Sequence, residues 1–168
     1  PMNEAGLCIM NTASYNLRED MLECQMDREG EFMYHVLGQC ATLQEFEAWI
    51  DTYPQPWGVE ANFGIIDAQG GAAYYEINNH RWIKYDVNEE ANGYRVVTNF
   101  SFAGRHEDYE GWERYQTASA IMKEAFSRER EFSAIDAINL FSRKYRHEVL
   151  GVNYHQENAP QYIVDQDY

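Results

Sequence analysis

Three short apolar runs, Ala61 to Asp67, Ala72 to Ile77 and Arg81 to Tyr85, follow one another with only Gln69-Gly70-Gly71 and Asn78-Asn79-His80 between them. These separators are turn formers, so the runs read as a meander of antiparallel strands. Asn92-Gly93 introduces a further strand-like run, Tyr94 to Phe100, which would extend the same sheet. Most side chains of these runs are apolar enough for the sheet to be packed on at least one face.

Helical patterns flank the meander. Thr42-Leu43-Gln44-Glu45 has the form of a capping box, and Phe46, Trp49 and Ile50 follow at helical spacing until Pro54 and Pro56. An amphipathic helix from Leu43 to about Thr52 is expected. Glu31 to Leu37 reads as an earlier helix ended by Gly38, and Gly6 to Met10 as a buried strand ending near Asn11, with Thr12 to Asn16 as a polar exit loop. Beyond the meander, Trp112, Tyr115, Ala118, Met122 and Phe126 recur at three-to-four spacing. Ser133 with Asp136 offers a second cap, for a helix on Ile135, Ile138, Phe141 and Tyr145, and Tyr162-Ile163-Val164 could begin a last strand. Helices and antiparallel strands are segregated along the chain, which favours an α+β layered single domain over a doubly wound parallel sheet.

A chain of 168 residues with 45% hydrophobic residues has ample material for one core. Its formal charge of −15 repels phosphate backbones and anionic membrane surfaces, so nucleic acid is not an expected partner. The apolar runs are too short for a membrane span. Cys8, Cys24 and Cys40 are too few and too evenly spaced for a disulfide framework or a metal site, and read as buried free thiols. The five histidines include no i,i+4 pair. No phosphate-cradling loop, dinucleotide fingerprint or G-x-S-x-G elbow occurs, and no cofactor is expected.

Several segments together resemble the choloylglycine hydrolase family, the linear-amide C–N hydrolases, and their acyltransferase relatives. Met2-Asn3-Glu4-Ala5-Gly6-Leu7 resembles the family's M-N-E-x-G-L segment, with Asn11 just beyond the strand. Ala61 to Asp67 and Ala72 to Glu76 resemble its central hairpin, Val96-Val97-Thr98-Asn99 its V-x-T-N segment, and Gly111-Trp112-Glu113-Arg114-Tyr115 the segment that introduces an arginine and an aromatic residue. The likeness covers roughly residues 2 to 126 and rests on the order and spacing of the set.

The resemblance implies an Ntn-hydrolase-like αββα four-layer sandwich in which a processed N-terminal cysteine attacks a linear amide. The α-amine of such a cysteine, with an unperturbed pKa of about 7.7–8.0, would take up the thiol proton, and the developing oxyanion would need oriented neutral donors. Asn11 and Asn99 are the implied donors, with Ser14 or Asn16 as lesser alternatives to Asn11. Arg114 would hold the nucleophile region through its fixed fork of N–H groups. Arg105 and His106, on the loop after Asn99, are expected to meet substrate, and Phe63, with Met2, Tyr74 and Phe102, to line an acyl pocket. The partner is then a small N-acyl amide; a bacterial-type amidase is favoured slightly over an acyltransferase, and a noncatalytic binding or structural domain is the reading from another class.

Pro1 offers no thiol, and Cys8 stands where a strand residue belongs. The expectation is therefore a core segment, inactive alone and incomplete at both ends, whose nucleophile-bearing strands precede residue 1. Sheet edges left open in this way would be shielded by association as a homo-oligomer.

Overall fold

The computed structural model describes residues 1–17, 27–106, 110–127, 133–135, 146–147 and 152–153. They fall in two compact units, Pro1–Trp112 and Glu113–Tyr168, where the sequence reads as one domain. In the first unit the order is β1 (Cys8–Ala13), α1 (Glu29–Gln39), α2 (Leu43–Thr52), β2 (Ala61–Ile66), β3 (Ala72–Ile77) and β4 (Trp82–Asp86). The four strands form one antiparallel sheet in the order β1-β2-β3-β4. The class is α+β, as expected.

Register separates the two faces of this sheet. Ile9 and Asn11 on β1, Phe63 and Ile65 on β2, and Ala73, Tyr75 and Ile77 on β3 share one face, because directly opposed residues of an antiparallel pair point the same way. The hydrophobic core lies here. Phe32 and Val36 of α1 and Leu43, Phe46 and Ile50 of α2 recur at i,i+3 and i,i+4 spacing, and all pack against the strand residues. Phe46 meets Tyr75 edge-on at 4.8 Å between ring centroids, and Phe32 lies 5.1 Å from Phe63.

Local chemistry explains the helix ends. Thr42 accepts from Glu45 N at 3.2 Å, while the Glu45 carboxylate reaches back to Ala41 N at 2.6 Å, one residue earlier than the usual box. Asp67, at the end of the β2–β3 hairpin, accepts from Leu43 N at 3.0 Å and from Gln69 N and Gly71 N within its own turn, tying that turn to the start of α2. These N–H groups, Leu43 first, hold its carboxyl below the usual carboxylate range. The M-N-E-x-G-L residues do similar local work. Asn3 donates to Leu37 O at 3.0 Å and Cys40 O at 2.7 Å, satisfying carbonyls at the end of α1, and accepts from Leu7 N at 2.9 Å. Gly6 has φ +87°, and a Cβ there would lie 2.9 Å from that of Ala68.

Four expectations are corrected. Strand β1 runs on to Ala13 instead of stopping near Asn11, because β2 pairs with it through Ala13↔Ala61. Helix α1 continues past Gly38, which has open space around it and an ordinary helical place, to Gln39. Tyr94 to Phe100 is not a strand; side chains from the sheet hold this segment, as described below. In α3 (Trp112–Phe126) the buried positions are Thr117, Ile121 and Ala125, whereas Trp112 and Phe126, on the expected stripe, are exposed.

In the second unit, β5 (Arg146–His147) pairs antiparallel with β6 (Val152–Asn153). The expected helix on Ile135, Ile138, Phe141 and Tyr145 and the strand at Tyr162 to Val164 lie largely or wholly outside the described residues.

Candidate functional site

The sheet face opposite the core carries a row of polar side chains, one on each of β1, β2 and β3. Thr12 on β1, Asn62 on β2 and Glu76 on β3 stand in register across the sheet. Asn62 and Glu76 are buried, at 1% and 0% exposure. Buried polar groups need partners, and these find theirs in residues 98–103. Thr12 Oγ1 donates to Thr98 O at 3.1 Å, and Asn62 Nδ2 donates to Phe100 O at 2.9 Å. Ser101 Oγ donates to Asn62 Oδ1 at 2.7 Å, while Glu76 accepts from Phe102 N and, at 3.0 Å, from Ala103 N.

The segment thus crosses the strands, gripped in turn by one side chain from each. With strands about 4.8 Å apart, the three crossed strands cover roughly 10 Å, a distance that the four residue steps from Thr98 to Phe102 reach without full extension. A ladder strand is ruled out by direction, since the chain runs across the sheet and not along its edge.

Two further ties fix the segment's ends. Asn99 Nδ2 donates to Ala13 O at 3.1 Å, and Thr98 Oγ1 donates to Gly111 O at 3.1 Å. At the other end, Asn16 Nδ2 donates to Ser101 O and Asn16 Oδ1 accepts from Ser101 N, both at 2.7 Å. Ser14 Oγ bonds Ser101 Oγ at 2.9 Å, and Arg105 N donates to Asn16 O at 3.0 Å. Gly104 closes the turn through its N–H to Ser101 O, and a Cβ there would fall 2.3 Å from Asn16 Nδ2.

An aromatic cluster covers Glu76. Phe102 meets Tyr74, Tyr85 and Phe100 edge-on, and the Arg95 guanidinium lies 4.3 Å from the Tyr85 ring centroid and 5.4 Å from that of Phe102. Tyr85 OH donates to Glu76 Oε2 at 3.3 Å. Burial raises the Glu76 pKa; the N–H groups of Ala103 and Phe102, the Tyr85 hydroxyl and Arg95 oppose that rise. Burial, then the Glu76 charge, raises the Tyr74 phenol as well. Beside this covered half of the face, Met10 and Ile66 are 64% and 55% exposed.

The expected site residues separate on this geometry. Asn99 belongs to the crossing segment and is bonded to β1. Asn11 stands opposite Phe63 in register, on the core side of the sheet at its edge strand, with its side chain exposed. The two are therefore not presented on one face. Phe63 is fully buried against Phe32 and belongs to the core, which corrects the expectation that it lines an acyl pocket. Arg105 and His106 are exposed at the end of the crossing segment. Arg114 lies on α3, in the second unit. Asn16, weighed only as a lesser oxyanion donor, is buried and bonded to Ser101. No motif points to Glu76; the sequence signal for it is a lone acid between Tyr75 and Ile77, at a position alternating away from the core.

Among the described residues no His, Cys, Asp and Glu side chains gather as a metal site requires, and no helix is long and apolar enough to cross a membrane. No protein-family model, curated protein or solved structure matches the chain.

Proposed function

We propose that this chain is the core segment of an Ntn-type amidase that cleaves a linear C–N amide bond, its nucleophilic cysteine supplied from outside these residues. One observation supports the reading above the others. The V-x-T-N-like segment, 96–99, lies far in sequence from the M-N-E-x-G-L-like segment, 2–7, yet it meets the strand that follows that segment, at Thr12–Thr98 and Ala13–Asn99. In this reading the four-stranded sheet is one inner layer of an αββα sandwich.

The chemistry follows from the groups involved. The cysteine thiol gives its proton to its own α-amine and attacks the substrate carbonyl carbon; the C=O electron pair moves to oxygen. Asn99 presents a neutral carboxamide that keeps its donor character across the working pH range. Its bond to Ala13 O holds that carboxamide against β1. As the intermediate collapses, the α-ammonium returns its proton to the departing nitrogen and the amine leaves, giving a thioester that water hydrolyses; a second amine in place of water would make the same site an acyltransferase. In this reading Arg105 and His106 meet the substrate, and the resemblance assigns Arg114 to the nucleophile region. Asn11, on the other face, is the weaker donor of the two.

A noncatalytic binding or structural domain is the second reading. It is favoured by the mutual bonding of Ser14, Asn16, Asn62 and Ser101, which accounts for that buried polar cluster without a substrate. Intact-mass analysis of the full gene product with thiol trapping separates the two. A mature polypeptide that begins with a reactive cysteine is expected; a full-length product with no such terminus refutes the amidase reading.

A further inference from the structure

The two N–H groups that meet Glu76 are consecutive. Phe102 N and Ala103 N sit at the centre of a tight turn closed by Gly104 N to Ser101 O, and each points at one oxygen of the same carboxylate. Successive N–H groups converging on one point make a concave anion-binding nest. Glu76 fills this one from the sheet. Its side chain is fully buried, so the negative charge depends for compensation on these two donors, on Tyr85 OH and on nearby Arg95. Arg95 is itself shared with Glu90. The turn leads directly to Arg105 and His106, the exposed cationic and titratable pair at the end of the segment.

We propose that residues 101–106 form a strap over the sheet, that Glu76 is its latch, and that the Phe102–Ala103 amide pair is an anion site with Glu76 as its resident carboxylate. The strap has a second tie in Asn16, which grips Ser101 and Arg105, so loss of the latch frees the turn without releasing the whole segment. The latch sets where Arg105 and His106 stand. This inference is independent of the amidase reading, because nothing in it requires a nucleophile.

The test is amide hydrogen exchange on the full chain carrying Glu76→Ala. Exchange at Phe102 and Ala103 should speed up by about tenfold or more, while the amides of Ile65 and Tyr75 in the sheet stay as in the parent. Added formate, a free carboxylate small enough for the vacated space, should restore slow exchange at those two amides, and sodium chloride at equal ionic strength should not. Unchanged exchange at both amides, or restoration by chloride as complete as by formate, overturns the proposal. Should Glu76→Ala fail to fold, Glu76→Gln answers the same question: a carboxamide offers one acceptor oxygen where two N–H groups wait, so one of the two amides must exchange faster. Parent-like exchange at both would overturn it.

Discussion

Asn16 and Ser101 bond each other twice: the Asn16 carboxamide accepts from Ser101 N and donates to Ser101 O, each at 2.7 Å, across 85 residues of chain. One side chain thereby satisfies both backbone groups of a residue that is 1% exposed. Replacing Asn16 with Ala leaves the buried Ser101 N–H without its partner and the Ser101 C=O with Gly104 N alone, at about 1–3 kcal/mol for the orphaned N–H. The midpoint of urea unfolding should fall accordingly, with its slope unchanged. A midpoint within error of the parent would mean that water or another group takes over both bonds.

Gly104 and Gly38 should respond in opposite directions to alanine. At Gly104 the new Cβ meets Asn16 Nδ2 at 2.3 Å and its Cγ at 2.6 Å, so Gly104→Ala should destabilise by about 1–3 kcal/mol. At Gly38, within α1, nothing lies within 4 Å, and Gly38→Ala should stabilise by about 0.5–1 kcal/mol. Thermal unfolding of the two variants beside the parent checks both signs.

Phe63 distinguishes core from pocket. As a fully buried ring against Phe32, it should cost about 3–5 kcal/mol when cut to alanine. A loss under about 1 kcal/mol would place it at the margin of the core instead.

Two carboxylates bend the pH profile of stability in opposite senses. The folded-state pKa of Asp67 is depressed by the N–H groups of Leu43, Gly71 and Gln69, so its contribution is present above the unfolded carboxylate pKa and is lost as pH falls through the lower folded value. That of Glu76 is raised by burial, so its contribution is full below the unfolded pKa and is lost as pH rises through the higher folded value. Asp67→Asn should flatten the acid limb of a plot of unfolding midpoint against pH, and Glu76→Gln the limb just above it. Profiles parallel to the parent's in both variants would remove these two groups as its cause.

Much of the fold is legible in the chain because its causes are local. Gln69-Gly70-Gly71 and Asn78-Asn79-His80 announce their turns, and Thr42 with Glu45 announces the start of α2. The segment 98–103 is not legible in the sequence as the one that crosses the sheet. Its apolar residues have the period of a strand, but its partners are Thr12, Asn62, Glu76 and Asn16, side chains distant in sequence whose pairing with it no local pattern signals. The same holds for the candidate site. Asn99 could be picked out by its motif, whereas its bond to Ala13, the placing of Asn11 on the opposite face and the part played by Glu76 depend on strand register. Register fixes faces, and composition does not encode it.

The most direct measurement is steady-state turnover of a small N-acyl amide by the full gene product, with Asn99→Ala beside the parent. Loss of an oriented oxyanion donor should lower kcat by about 10²–10³-fold with KM little changed. A parent-like kcat would contradict the placing of Asn99 at the reacting oxygen, and with it the amide-cleaving site proposed for this fold.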